Sequence, residues 1–110
     1  MKPKGRPKKC RIVKFTPLIS QFSPRGKAGR PDETCLNLDE LEAVRLADLS
    51  GFKQKECAEQ MHVSQQTFSR ILKKARKEIA TAIVRGHAIK IHGGKYQIQI
   101  PKQNPVPDQK

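Results

Sequence analysis

Apolar positions recur at helical spacing in the middle of the chain. The segment LDELEAVRLADLS, residues 38–50, places them near the 3.6-residue period of an α-helix. Asn37 followed three residues later by Glu40 resembles a capping box, which predicts a helix start at about Leu38, and Gly51 predicts its end. The apolar residues on this predicted first helix are Leu38, Leu41, Val44, Ala47 and Leu49.

Two more helices are predicted after Gly51. The segment KQKECAEQM, residues 53–61, is too short to be stable alone in water and must pack on its neighbours. Ser64 is a good N-cap for a third, long helix that ends before Gly86. Its apolar residues hold the 3-4 spacing of one buried face. They are Phe68, Ile71, Leu72, Ala75, Ile79 and Ile83.

Near both ends of the chain, apolar and polar residues alternate instead. The segment CRIVKF, residues 10–15, predicts one short strand, and the prolines and glycines that follow predict a loop. After Gly86, alternating apolar residues on either side of Gly93 and Gly94 predict a β-hairpin over residues 87–100. Residues 1–9 predict a flexible basic arm, and residues 101–110, with three prolines, a disordered tail.

The amount and distribution of charge indicate what the chain binds. The chain carries 23 Lys and Arg against 10 Asp and Glu, a formal net charge of +13. Residues 1–35 carry ten cations and two acids, and residues 64–110 again ten and two, whereas residues 36–63 carry three cations and six acids. An excess of this size attracts polyanions, so nucleic acid is the predicted partner.

The composition argues against several other classes of protein. With no Trp, one Tyr and four Phe, the chain has few aromatic anchors for a membrane surface. No apolar run approaches the ~20 residues of a membrane span or follows the basic N-terminus as in a signal peptide. Three cysteines are an odd number, typical of reduced cytosolic thiols. We therefore expect a soluble, cytoplasmic protein, and no motif predicts an enzyme, a metal or another cofactor.

Residues 54–85 fit the pattern of a helix-turn-helix. Ala58 is small where the second helix would cross the first. The small residue usual in the turn, most often Gly, would fall at His62. Four apolar residues occupy the positions that lock the two helices together, so Phe68 is expected in the core and not as a stacking surface for single strands. They are Met61, Val63, Phe68 and Ile71.

The exposed side of the predicted recognition helix, residues 64–85, carries side chains suited to reading bases. Gln can bind adenine through two hydrogen bonds, Arg can bind guanine in the same way, and Ser can bind several bases. With Phe68 and Ile71 facing inward, the polar residues of the first turns face outward. The predicted base contacts in the major groove are Ser64, Gln65, Gln66, Ser69 and Arg70.

Farther along the same helix, cations would meet DNA phosphates. The alternative is an ordinary solvated helix face. Between Arg70 and Lys77 there are five cations and no acid, however, and a solvated face usually mixes charges to gain ion pairs. The predicted phosphate contacts are Lys73, Lys74, Arg76 and Lys77.

The N-terminal arm resembles the Gly-Arg-Pro core of an AT-hook, in which an extended arm places Arg in a narrow minor groove. The alternative is a solvated basic tail that contributes only charge. The predicted minor-groove contacts are Lys4, Arg6, Lys8 and Lys9.

Four segments together resemble an uncharacterised family of small prokaryotic predicted DNA-binding proteins. The segments are RPKKCR at 6–11, LDELEAVRLADLSG at 38–51, QKECAEQMHVSQQTFSRIL at 54–72 and RGHAIKIHGGKY at 85–96. The helix-turn-helix is similar to region 4 of bacterial sigma factors, which reads a promoter element. The resemblance implies this fold and DNA binding, without an assigned operator, effector or pathway.

The combined prediction is a mainly α domain of winged-helix-superfamily size that regulates transcription. Its parts are a basic arm and loop at 1–36, the helix-turn-helix at 37–86, a β-hairpin at 87–100 and a tail at 101–110. The hairpin strands are predicted to pair between two chains in a homodimer on double-stranded DNA.

Three alternatives stay open at this stage. The protein could be an RNA-binding or ribosome-associated basic protein, or a module that docks on RNA polymerase through the first helix. A metal or redox sensor would need distant Cys and His residues to converge. The candidates for such a sensor are Cys10, Cys35, Cys57, His62, His87 and His92.

Overall fold

Three helices and five short strands make up the fold. The computed structural model describes residues 10–26 and 29–100. The helices are α1 Leu38–Val44, α2 Gln54–Met61 and α3 Gln65–Arg85, and α1 continues into one π-helical turn, Arg45–Leu49. The strands are β1 Arg11–Val13, β2 Gln21–Phe22, β3 Glu33–Leu36, β4 Ala88–Ile91 and β5 Tyr96–Ile98. The predicted three helices are confirmed.

Local capping explains where the helices begin and end. The backbone N–H of Asn37 donates to Glu40 Oε1 at 2.9 Å, which satisfies a donor at the start of α1. The backbone N–H of Thr67 donates to Ser64 Oγ at 3.0 Å at the start of α3. Gly86 ends α3 with a left-handed φ of 71°. These signals, predicted from the sequence, are confirmed.

The first core cluster joins all three helices. Phe68 and Met61 are fully buried there, beside Leu46 from the π-helical turn and Cys57 from α2. The prediction that Phe68 is a core residue is confirmed. This cluster fixes α3 against α1 and α2, which leaves the opposite side of α3 in solvent.

A second cluster joins the middle of α3 to the strands. Ala75 of α3 packs with Val13, Leu36, Leu38 and Ile91. The same helix therefore closes both parts of the core, and the side of its N-terminal half that faces away from α1 and α2 is exposed and carries several cations.

The predicted β-hairpin is not formed. β4 and β5 are both present, but β4 is the central strand of a three-stranded sheet, antiparallel to β2 and parallel to β3, whereas β5 pairs in parallel with β1. Both edges of β4 are occupied within the chain, so β4 has no free edge for the predicted pairing between two chains. Gly93 and Gly94 form a link between two sheets rather than the turn of one hairpin.

The segment predicted as arm and loop, residues 1–36, contributes strands to the fold. The sequence predicts β1 but not β2 and β3, which this segment also forms. Thr34 and Leu36 of β3 are buried, and Glu33 to Leu36 pair with Ala88 to Ile91. The predicted arm, residues 1–9, and the predicted tail, residues 101–110, lie outside the described residues.

Two predicted core residues face solvent. Leu49 is 80% exposed and Ile83 is 73% exposed. Leu49 lies in the π-helical turn, whose wider winding takes it off the 3.6-residue face. Ile83 lies in the last turn of α3. None of the described helices has the length and apolar character needed to cross a membrane.

Candidate nucleic-acid interface

A tight turn joins α2 to α3. His62 has φ 59° and ψ 44°, in the left-handed region, and it is the one non-glycine residue with positive φ among those described. The N–H of His62 donates to the carbonyl of Glu59 at 3.2 Å, and that of Val63 to the carbonyl of Ala58 at 3.0 Å. The sequence placed His62 where Gly is usual, and the backbone there has the conformation that favours Gly.

The first turns of α3 present a polar surface. Gln65, Gln66, Ser69 and Arg70 are exposed, while Phe68 on the opposite side is fully buried. The structure thus brings four of the five predicted base contacts together on one solvent-facing surface, as the helical period requires. We call these four residues the reading surface.

Ser64, the fifth predicted base contact, is the N-cap of α3. Its hydroxyl accepts the backbone N–H of Thr67 and donates to Thr67 Oγ1 at 2.9 Å. Both interactions hold the start of α3, and a hydroxyl has one proton to donate. Ser64 is therefore the helix cap beside the reading surface.

The four predicted phosphate contacts divide into two pairs. Lys74 Nζ lies 2.8 Å from Glu40 Oε2 and 3.6 Å from Glu78 Oε2, and its hydrogen bond to Glu40 raises the pKa of Lys74. Arg76 binds Asp48 through two hydrogen bonds. In residues 10–26 and 29–100, Arg70, Lys73 and Lys77 form no ion pair, so their charges remain available on α3.

The acids of α1 neutralise cations inside the fold. Asp39, Glu40 and Glu42 are each at most 4% exposed. Glu42 binds Arg45 at 2.6 Å and also accepts the backbone N–H of Lys14 at 3.0 Å. The acids of α1 are therefore buried, and Glu40 binds Lys74 of α3.

A polar cleft of about 300 Å³ lies between α1 and α3, beside the reading surface. Arg70, Thr67 and Lys74 line it from α3, and Arg11 lines it from β1. Arg11 Nη1 lies 3.4 Å from Asp39 Oδ2. Arg11 was not predicted here, because its partner Asp39 is 28 residues away in sequence and no local pattern links the two.

Asp39 lines this cleft with a buried carboxylate. Burial raises the pKa of Asp39, although Arg11 opposes this shift. Asp39 Oδ1 is buried without a hydrogen-bond partner in the structure, and a Cβ on Gly94 would come within 2.5 Å of it. Gly94 has a φ of 98°, so this close approach and the backbone both require glycine.

The cysteine and histidine residues do not converge. Cys35 Sγ lies 3.5 Å from His92 Nε2, His87 Nδ1 lies 2.9 Å from Thr34 Oγ1, and buried Cys57 donates to the carbonyl of Phe52. In the part of the chain that the structure describes, no three Cys, His, Asp or Glu side chains form a group able to hold a metal ion.

The predicted minor-groove residues of the arm lie outside the described residues. The described chain begins with Cys10, followed by Arg11 in the cleft that Arg70 also lines. Any segment before Cys10 therefore joins the fold close to the reading surface.

Comparison with known proteins identifies relatives but no activity. A "UPF0251 protein" of Caldicellulosiruptor bescii is 54% identical over 91 residues, which are 83% of this chain and 64% of that protein. Another from Clostridium novyi is 51% identical, over 84% of this chain and 63% of its own length. A third, from Thermoanaerobacter pseudethanolicus, is 48% identical over 84% of this chain and 80% of its own length.

The chain thus spans less than two thirds of the first two of these relatives. No solved structure matches it. A family model described as "Protein of unknown function DUF134" matches residues 1–99. The chain belongs to this DUF134 family of uncharacterised proteins.

Proposed function

We propose that the protein binds duplex DNA sequence-specifically and regulates transcription, with α2, the turn at His62 and α3 acting as a helix-turn-helix like that of sigma-factor region 4. The observation that carries the proposal is the reading surface of α3: four exposed polar side chains, one of them Arg70, lie beside the exposed Lys73 and Lys77, and none of these three cations forms an ion pair in the described residues.

The reading surface has the shape and chemistry of major-groove recognition. The major groove admits one α-helix, and the N-terminal part of a recognition helix faces the base edges. Gln65 and Gln66 in the first turn supply amide groups, and Arg70 supplies the planar guanidinium that binds guanine. α3 is anchored by fully buried Phe68, so these groups are presented from a rigid helix.

The ion pairs refine the set of phosphate contacts. Lys73 and Lys77 are one turn apart on the same helix, and neither forms an ion pair within the described residues. Arg76 is already neutralised by Asp48, and Lys74 by Glu40. We therefore assign phosphate binding mainly to Lys73 and Lys77.

The basic arm extends this interface. Arg11 and Arg70 line one cleft, so the described chain begins near the reading surface, and any nine-residue segment can span at most ~30 Å when extended. Lys4, Arg6, Lys8 and Lys9 are then within reach of the minor groove next to the bound major groove, as in other DNA-binding arms.

Selection of bound sequences from random duplex DNA tests the proposal. A consensus site bound at least 10³-fold more tightly than unrelated duplex at physiological salt is the expected result. Equal binding of all duplexes would contradict sequence reading. Tighter binding of structured RNA than of the selected duplex would favour the RNA-binding alternative, and affinity only for RNA polymerase would favour the docking alternative.

A further inference from the structure

An uncharged, apolar surface lies away from the reading surface. Two shallow grooves, of about 380 Å³ and 230 Å³, meet at Phe22. The larger is lined by Leu18 and Ile19 of the loop after β1, and the smaller by Ile83 of α3. We call Leu18, Ile19, Phe22 and Ile83 the apolar face.

The side chains of the apolar face are largely exposed to solvent although all of them are hydrophobic. Leu18 is 98% exposed and Ile83 73%, and Ile19 and Phe22 are each about half exposed. Contiguous apolar patches of several hundred Å² mark interaction sites in soluble proteins. These four side chains offer roughly 500 Å² per copy, more than half of the ~800 Å² that each partner buries in a standard interface.

We infer that the apolar face binds a second copy of this chain and forms a symmetric dimer. None of the described residues that line the two grooves is Lys, Arg, Asp or Glu. A chain with a net charge of +13 repels its own copies at most approaches, and this surface lets two copies meet without opposing charged side chains. The same lack of cations makes the surface a poor site for an anionic partner.

The edge of the sheet supports self-association. β2 is an edge strand, both of its residues are exposed, and its outer side has no strand partner among the described residues. In a two-fold contact each surface meets itself, so an apolar face meets an apolar face and one unpaired edge meets another. The chain's own segments outside the described residues supply little to cover the face: residues 101–110 contain one branched aliphatic side chain, Val106, residues 1–9 contain no aliphatic side chain besides Met1, and residues 27–28 are Lys and Ala.

The position of the apolar face suits a DNA-bound dimer, a consequence that rests on the proposed function. Ile83 lies 17 residues after Gln66, about 25 Å along α3. A two-fold axis near Ile83 therefore separates the two reading surfaces by as much as ~50 Å, a range that includes the ~34 Å between successive major grooves.

Sedimentation analysis of the full chain without DNA, over low to high micromolar concentrations, tests the inference. The variants are Ile83→Lys and Leu18→Lys, with Leu49→Lys as matched control because Leu49 is 80% exposed but lines neither groove. Exposed positions tolerate such changes, and circular dichroism checks that each variant folds. We expect a wild-type dimer whose dissociation constant rises about 100-fold in both groove variants, since each buried side chain counts twice.

Each other outcome overturns the inference. A wild-type monomer at all concentrations, a dimer unaffected by both groove variants, or a dimer weakened as much by Leu49→Lys would do so. The result is separable from the proposed function. A dimer that does not bind duplex DNA would contradict only the proposed DNA binding. A monomer that binds a specific DNA sequence would contradict only the proposed dimer.

Discussion

Arg76 donates two hydrogen bonds to Asp48, from Nε at 3.1 Å and from Nη2 at 2.7 Å. The pair ties α3 to the π-helical turn after α1, and the Arg76 guanidinium lowers the pKa of Asp48. A phosphate would have to compete with the Asp48 carboxylate for this guanidinium. The contact therefore separates Arg76 from the neighbouring lysine, although both are exposed cations on α3.

This contact predicts unequal effects of two neighbouring substitutions. Lys77→Ala removes a cation without an ion pair in the described residues and should lower the salt dependence of DNA binding by about one unit of log–log slope. Arg76→Ala should lower it by clearly less. Fluorescence anisotropy at several salt concentrations measures both slopes. Equal slopes for the two variants would show that Arg76 leaves Asp48 to bind DNA.

The left-handed backbone at His62 makes a prediction about the turn. His62→Gly should raise the free energy of unfolding by about 0.5–1 kcal/mol, because Gly adopts positive φ without the steric cost of a Cβ. His62→Val should lower it by at least ~1 kcal/mol, since a β-branched residue is least tolerated there. Urea denaturation followed by circular dichroism gives both values. The same stability for the two variants would contradict the left-handed turn.

The close approach of Gly94 to Asp39 makes a prediction with an internal control. Gly94→Ala combines positive φ with a clash at Asp39 Oδ1, whereas Gly51→Ala has positive φ, of 81°, with open space around the added Cβ. We expect Gly51→Ala to cost about 1–2 kcal/mol and Gly94→Ala to cost at least ~2 kcal/mol more.

Thermal and urea unfolding of the two glycine variants checks this difference. Asp39→Ala in the Gly94→Ala background should recover part of the loss, because it removes the atoms that clash. A cost for Gly94→Ala no larger than that for Gly51→Ala would mean that Asp39 does not lie against Gly94.

Asp39 itself predicts a pH dependence. Burial raises its pKa in the folded protein above the usual 3.8, so the folded state binds the proton more tightly than the unfolded chain does. The stabilising contribution of protonated Asp39 is complete below pH ~4 and is lost as pH rises through the raised pKa. The stability of the wild type relative to Asp39→Asn should therefore fall as pH rises above 4, and an increase over that range would contradict the raised pKa.

Local signals in the sequence predicted the helices well. The cap at Ser64, the capping box of Asn37 and Glu40 and the stop at Gly86 each act within a few residues, so the chain carries them in one short window. The inward positions of Phe68 and Ile71 followed from the same periodicity and put the reading surface in solvent. What failed at Leu49 and Ile83 was the assumption that one period continues to the end of each helix.

The strands depended on distant partners. Thr34 and Leu36 pair with Ile89 and Ile91, more than 50 residues away, and nothing near β3 indicates that pairing. Gly93 and Gly94 are typical of a hairpin turn, but β4 is already paired on both sides by β2 and β3. Tyr96 pairs with Arg11 instead. The ion pairs that neutralise Lys74 and Arg76 are long-range in the same sense, which is why the sequence assigned all four cations to phosphates.

The most direct test of sequence reading compares Arg70→Ala with Lys77→Ala on two duplexes, the one selected from random DNA and a scrambled version of it. Arg70 is exposed on the reading surface and forms no ion pair in the described part of the chain. We expect Arg70→Ala to weaken binding to the selected duplex by about 1–3 kcal/mol and to have little effect on binding to the scrambled duplex. Lys77→Ala should weaken binding to both duplexes alike. Equal losses from Arg70→Ala on both duplexes would contradict sequence reading.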